Sequence, residues 1–184
     1  TWMNANKKNY LKFFLALVLC LLARMIPFRA PNVEPILATM MPFSKASGAL
    51  VGFSFAVSSI LLYDVLTGTL GVQTFFTAGA YGIVSLWAAH YFSKKKANKR
   101  NFTHFAIMGT LLFDGLTGLT VGPIFFHQSF MDSLIGQVPF TALHLSSNIA
   151  FAYILSPIIY SMLIKKRKEK YLPGIDGILN LKTI

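Results

Sequence analysis

Charge is what this chain has least of. Only 12% of its 184 residues are Asp, Glu, Lys or Arg, about half the share of an ordinary soluble domain. Acids are scarcer still, six against seventeen bases, while 54% of the residues are hydrophobic and the mean hydropathy is +0.57. The few charges cluster and leave long tracts with almost none, and such tracts predict membrane spans rather than the core helices of a soluble globule. Cysteine occurs once, so no intramolecular disulfide can form. That cysteine, Cys20, sits within an apolar run and reads as a small lipid- or helix-facing residue.

Catalytic signatures are missing as well. A metal site would show His or acid ligands at helical spacing, as in HExxH, and none occurs; nor does GxSxG or a phosphate-cradling GxxxxGK[ST]. FDGLTG supplies one aspartate where a CDP-alcohol phosphotransferase needs several across two turns. The expectation is therefore no enzyme, no metal, no cofactor and no intrinsic ATP hydrolysis. Nucleic-acid binding is not expected either, because a basic groove needs a folded soluble face with interleaved aromatics, and these bases lie in short flanks.

What is present is an all-α integral membrane pattern of about six transmembrane helices. The first apolar run, 10–28, has Lys7 and Lys8 before it and Lys12 near its start and resembles a signal peptide, but it leads into RMIPFRAPN and not into a small-residue cleavage site. A short piece, 35–43, is too short to cross upright and is expected to tilt or re-enter. Runs at 48–66, 72–92, 103–122 and 138–164 complete the set. The division expected is a cytoplasmic segment at 1–9, one transmembrane domain at 10–164 and a basic cytoplasmic tail at 165–184.

Lys and Arg in short loops stay cytoplasmic, which orients the set. With six spans and both termini cytoplasmic, Lys45, Lys94, Lys95, Lys96, Lys99, Arg100 and the bases at both ends of the chain fall inside, leaving only Arg24 and Arg29 near the outer side. Residence in the plasma membrane and contact with its lipid bilayer follow.

One motif recurs. LLYDVLTGTLGVQTFF from Leu61 and LLFDGLTGLTVGPIFF from Leu111 share eight of sixteen positions, which indicates an internal duplication or two helix ends with similar work. Asp64 and Asp114 are both expected at the outer ends of parallel spans. Glycine capping and threonine back-bonding explain Leu-Thr-Gly, yet an acid at a helix C-terminus opposes the macrodipole and calls for a cation, an Arg or a proton. Arg24 is the expected structural partner.

Other polar groups gather on the same side. Asn32 and Glu34 lie between prolines, and His127, Gln128 and Gln137 lie in the outer segment after the fifth span. Thr141, His144 and Asn148 follow at spacings of three and four, which puts them on one helix face. The expectation is an outward polar pocket built from these residues with Asp64 and Asp114.

About six short helices, a Pro- and Arg-marked first outer loop and the MMPFSKASGALVGFSF entry to the third helix, together with that outer polar cluster, resemble the substrate-binding S components of energy-coupling factor (ECF) transporters over residues 8–168. The resemblance implies capture of a vitamin-like micronutrient near the outer face. It also implies partnership with a separate coupling module of one membrane subunit and two ATPases. The family's Ala-x-x-x-Ala docking face on the first helix has its nearest counterpart in Ala16 and Cys20, with Ala23 beyond. Gly48, Gly52 and Ala56 form a further small-residue stripe, which reads first as packing within the monomer. The alternative is a self-sufficient small transporter or channel, proton-coupled through Asp64 and Asp114.

Overall fold

The computed structural model describes the backbone of residues 2–30 and 32–171 and side chains from Tyr10 to Ile164. Among the described residues the chain is entirely helical. Its elements are α1 (Trp2–Met25), α2 (Ile36–Ser47), α3 (Ala49–Thr67), α4 (Val72–Lys94), α5 (Lys99–Phe126) and α6 (Phe130–Tyr171). The expected tail at 165–184 lies outside the described side chains.

Packing is organised around α2. Its twelve residues, about 18 Å of helix, are buried from Ile36 through Ser44, and α3, α4, α5 and α6 all pack on it. One residue, Gly48 with φ 102°, reverses the chain into α3. A backbone in that region is available to glycine and strained for other residues. The hairpin then closes tightly. Phe43 stacks on Phe55 with centroids 5.2 Å apart, Ser44 Oγ lies 3.2 Å from Ser85 Oγ, and a Cβ on Gly52 would come within 1.9 Å of Ser44 Oγ. With Ala56 fully buried beside it, the small-residue stripe of α3 packs within the monomer, as small residues do where helix backbones approach closely.

Short links join the remaining helices. Two ends of the bundle therefore differ in chemistry. At one end Lys12 Nζ donates to Met162 O (2.7 Å), and Lys45 Nζ donates to Phe92 O in the last turn of α4, a cation on a carbonyl of a helix C-terminus. At the other end α5 and α6 are joined as a hairpin by His127, Gln128 and Ser129, and Phe125 near the end of α5 packs edge-on against Phe76 of α4 at 5.1 Å.

Three helices, α3, α5 and α6, are long and apolar enough to cross a membrane. α2 is too short, α4 is interrupted by Gln73, Thr74, Thr77, Ser85 and His90, and α1 has described side chains only from Tyr10. Large apolar side chains such as Leu50, Leu66, Val138 and Ile154 are exposed on these helices, more than a water-facing surface tolerates in contiguous patches.

The outer segment after the fifth helix is not the long loop that the sequence predicts. α5 continues to Phe126 and α6 begins at Phe130, leaving only His127, Gln128 and Ser129 between them. Pro123 and Pro139 sit inside these helices and do not end them.

Candidate functional site

The two copies of the Asp-Leu-Thr-Gly theme do different things. Thr67 and Thr117 make the same back-bond, Oγ1 to the carbonyls of Tyr63 (2.8 Å) and Phe113 (2.9 Å). Gly68 then takes the left-handed cap that ends α3, whereas Gly118 lies inside α5. A Cβ there would come within 1.8 Å of Gln137 Oε1 on α6. The expectation of two matched helix ends is thus corrected, because Asp64 stands at a terminus and Asp114 stands well inside a helix.

Their partners differ accordingly. Asp64 Oδ2 accepts from Thr74 Oγ1 (2.6 Å), and Thr74 Oγ1 in turn accepts from Gly71 N–H (3.1 Å), a link that ties the end of α3 to the start of α4. Asp114, 2% exposed, has Oδ1 2.7 Å from Nδ1 of His144, which is equally buried. Arg24 pairs with neither aspartate. It stands 3.0 Å from Glu34 Oε2 through Nε, donates to Ser59 O (3.2 Å) and covers the Tyr63 ring at 3.9 Å. Tyr81 OH donates to the other Glu34 oxygen at 2.5 Å, and its ring lies 4.2 Å from that of Phe113. The Arg24 expectation fails because the reversal into α2 brings Glu34 back against the end of α1.

Between these groups and the α5–α6 hairpin lies a cleft of about 420 Å³. Asn32, Glu34, Gln128, Gln137 and His144 line it, together with Arg24, Thr77, Gly118, Gly122 and the rings of Phe113, Phe126 and Phe140. Asn32 has φ 62°, a left-handed conformation that asparagine tolerates, and its carbonyl accepts from Ser147 Oγ (2.8 Å), which fastens this loop to α6.

Five residues singled out from the sequence are not in the lining. Asp64 is engaged with Thr74, and His127 is the exposed left-handed cap of α5. Asp114 stands behind His144. Thr141 Oγ1 accepts from Gln137 Nε2 (3.1 Å), and Asn148 Nδ2 donates to Thr110 Oγ1 (2.9 Å). Thr141 therefore bonds within α6, His144 and Asn148 couple α6 to α5, and of the three only His144 reaches the cleft. On α1, Cys20 is turned inward, 3% exposed and 3.5 Å from Thr39 Oγ1, so it adds nothing to an external docking face. Ala16 and Ala23 are half-buried.

Several buried polar atoms here have no protein partner, among them His144 Nε2, Asn32 Nδ2, Asp114 Oδ2 and Asn148 Oδ1. Tyr81, Ser59 and Thr110 were not singled out from the sequence, since a Tyr or hydroxyl within an apolar helix reads as interface or back-bonding. Among the described residues, no group of three His, Cys, Asp or Glu side chains is arranged to hold a metal ion. Comparison with family models, with curated proteins and with solved structures gives no match to this chain.

Proposed function

We propose that this chain is a multi-pass membrane protein that captures a small polar solute in the cleft between the start of α2 and the α5–α6 hairpin. The observation that carries the reading is the pairing of that cleft with buried polar atoms that no protein group satisfies, His144 Nε2 and Asn32 Nδ2. Each such atom costs about 1–3 kcal/mol when left unpaired, and a bound solute offsets that cost. Cleft size, apolar walls and a few convergent polar groups are what small-molecule sites share.

In this reading all six helices lie in the plasma membrane, with α2 as a buried half-length helix. The basic end and both termini are cytoplasmic, and the cleft faces outward. Its functional form is the substrate-binding S component of an ECF-type micronutrient transporter, partnered by a separate membrane subunit and two ATPases. Support comes from the sequence resemblance and from the placement of the cleft at the end opposite the bases. Mass spectrometry of solute retained through purification tests capture, and co-purification with an ATPase module tests the partnership.

A second reading, a self-sufficient transporter or channel, is favoured by one observation. Asp114 and His144 form a buried titratable pair within two of the long apolar helices, and such pairs mark proton pathways in membrane proteins. Solute uptake by the pure protein in liposomes without ATP would select it.

A further inference from the structure

We infer that His144 is the specificity-determining acceptor of the cleft, and that the solute it takes is an uncharged, flat heterocycle donating a ring N–H, a lactam or azole in type. The inference rests on the cleft being a solute site.

With Asp114 taken as a carboxylate and His144 as a neutral imidazole, the hydrogen in their 2.7 Å contact belongs to Nδ1, because a carboxylate accepts hydrogen bonds and does not donate them. A neutral imidazole has only one N–H, and a carboxylate on one nitrogen fixes which. The Nε2 left over is a bare lone pair. It is buried without a protein partner, on a residue 2% exposed that lines the cleft. Phe113 and Phe140 meet the imidazole nearly edge-on, at 5.6 Å and 6.1 Å with interplanar angles of 80° and 81°, which locks its plane. The ring therefore cannot turn to another protein partner, and a ligand donor that reaches Nε2 from the cleft completes it.

Charge and shape narrow the class. The one cation lining the cleft, Arg24, is balanced by Glu34, and that carboxylate is engaged by both Arg24 and Tyr81. Neither an anion nor an ammonium finds an uncommitted counter-charge among these groups, and burying an unpaired charge is costly. Phe113, Phe126 and Phe140 give the cleft aromatic walls, with Gly118 and Gly122 between the two phenylalanines of α5. Such walls suit a flat ring system.

Quinazolinone, which carries a ring N–H beside a carbonyl, and its N-methyl derivative, which lacks that donor, form a matched pair of probes. Binding of each is followed by NMR on protein with isotope-labelled histidine, the His144 signals being assigned by their loss in His144→Leu. The free protein should show Nδ1 protonated and Nε2 bare. Quinazolinone should shift the Nε2 signal and bind about tenfold more tightly than the N-methyl probe, the worth of one good hydrogen bond. In Asp114→Asn the amide can donate to Nδ1, which moves the ring hydrogen to Nε2, and the preference should disappear. The wild-type measurement stands even if that variant does not fold. A protonated Nε2 in the free wild type, or equal binding of both probes at the cleft, overturns the inference and leaves the solute site standing. A retained natural solute without a donor N–H does the same. Failure of both probes to bind, with no solute retained by the purified protein, overturns both.

Discussion

Asp114 Oδ1 and His144 Nδ1 lie 2.7 Å apart across α5 and α6, each side chain only 2% exposed. Removing one partner strands the other in a buried setting, and removing both does not. Asp114→Ala and His144→Ala should each lower the melting temperature in detergent, with the double variant less destabilised than the sum. The coupling free energy from that cycle should be about 1–2 kcal/mol, the upper range for polar contacts between membrane helices. Additive losses would mean that the pair holds no energy of its own.

Gly52 and Gly118 are both close approaches, but they should respond differently to alanine. At Gly52 a Cβ meets the short, buried Ser44 side chain, with Oγ at 1.9 Å and Cβ at 2.9 Å. Gly52→Ala should therefore cost about 1–3 kcal/mol, as overpacking does. At Gly118 the obstacle is the far end of Gln137, a longer side chain that can swing away. Gly118→Ala should leave the melting temperature nearly unchanged and weaken solute retention by displacing Gln137. Thermal unfolding and retained solute, measured on both variants, separate the two outcomes.

Asp64 stands apart from the cleft, in a link between helix ends. Asp64→Asn keeps an acceptor for Thr74 Oγ1, so it should leave both folding and solute retention close to wild type. Asp64→Ala should lower stability by about 1 kcal/mol, the typical worth of one hydrogen bond. Loss of solute from a stable Asp64→Asn protein would bring this residue back into the site.

How much of this was legible in the sequence follows from what each signal measures. Apolar runs report burial in any apolar medium, so they locate all six helices, although α1 and α6 each begin about eight residues before the runs that mark them. Helix ends beyond the runs could not be placed, because Phe125, Phe126, Phe130 and Pro139 look like loop or interfacial residues until α5 and α6 are seen to pack on one another. The three-and-four spacing of Thr141, His144 and Asn148 correctly put them on one face. Spacing says nothing of what that face meets, and the partners Thr110 and Asp114 come from a different helix. The repeated Asp-x-Leu-Thr-Gly shows the limit most clearly. Identical local chemistry gives a cap at Gly68 and a close helix contact at Gly118, and only the tertiary neighbour decides between them. Arg24 reads in the sequence as the partner of the repeated aspartates, because the chain reversal that brings Glu34 back against it is not visible there.

Orientation is testable with the one native cysteine removed, since Cys20 is buried beside Thr39. In a Cys20→Ala background, Lys96→Cys at the exposed basic end should resist a membrane-impermeant thiol reagent in intact cells. Phe28→Cys, fully exposed at the cleft end, should react. The opposite pattern would invert the topology.

Capture of a solute in the cleft is the central claim, and native mass spectrometry tests it most directly. Wild-type protein, released gently from detergent, should carry one small solute per chain. The variant with both Asp114→Leu and His144→Leu replaces the buried pair by apolar groups, a change that buried pairs commonly tolerate, and it should be monodisperse and empty. A folded wild type that carries no solute and takes none from a cell extract would contradict the account, as would a double variant that retains the same solute in the same amount.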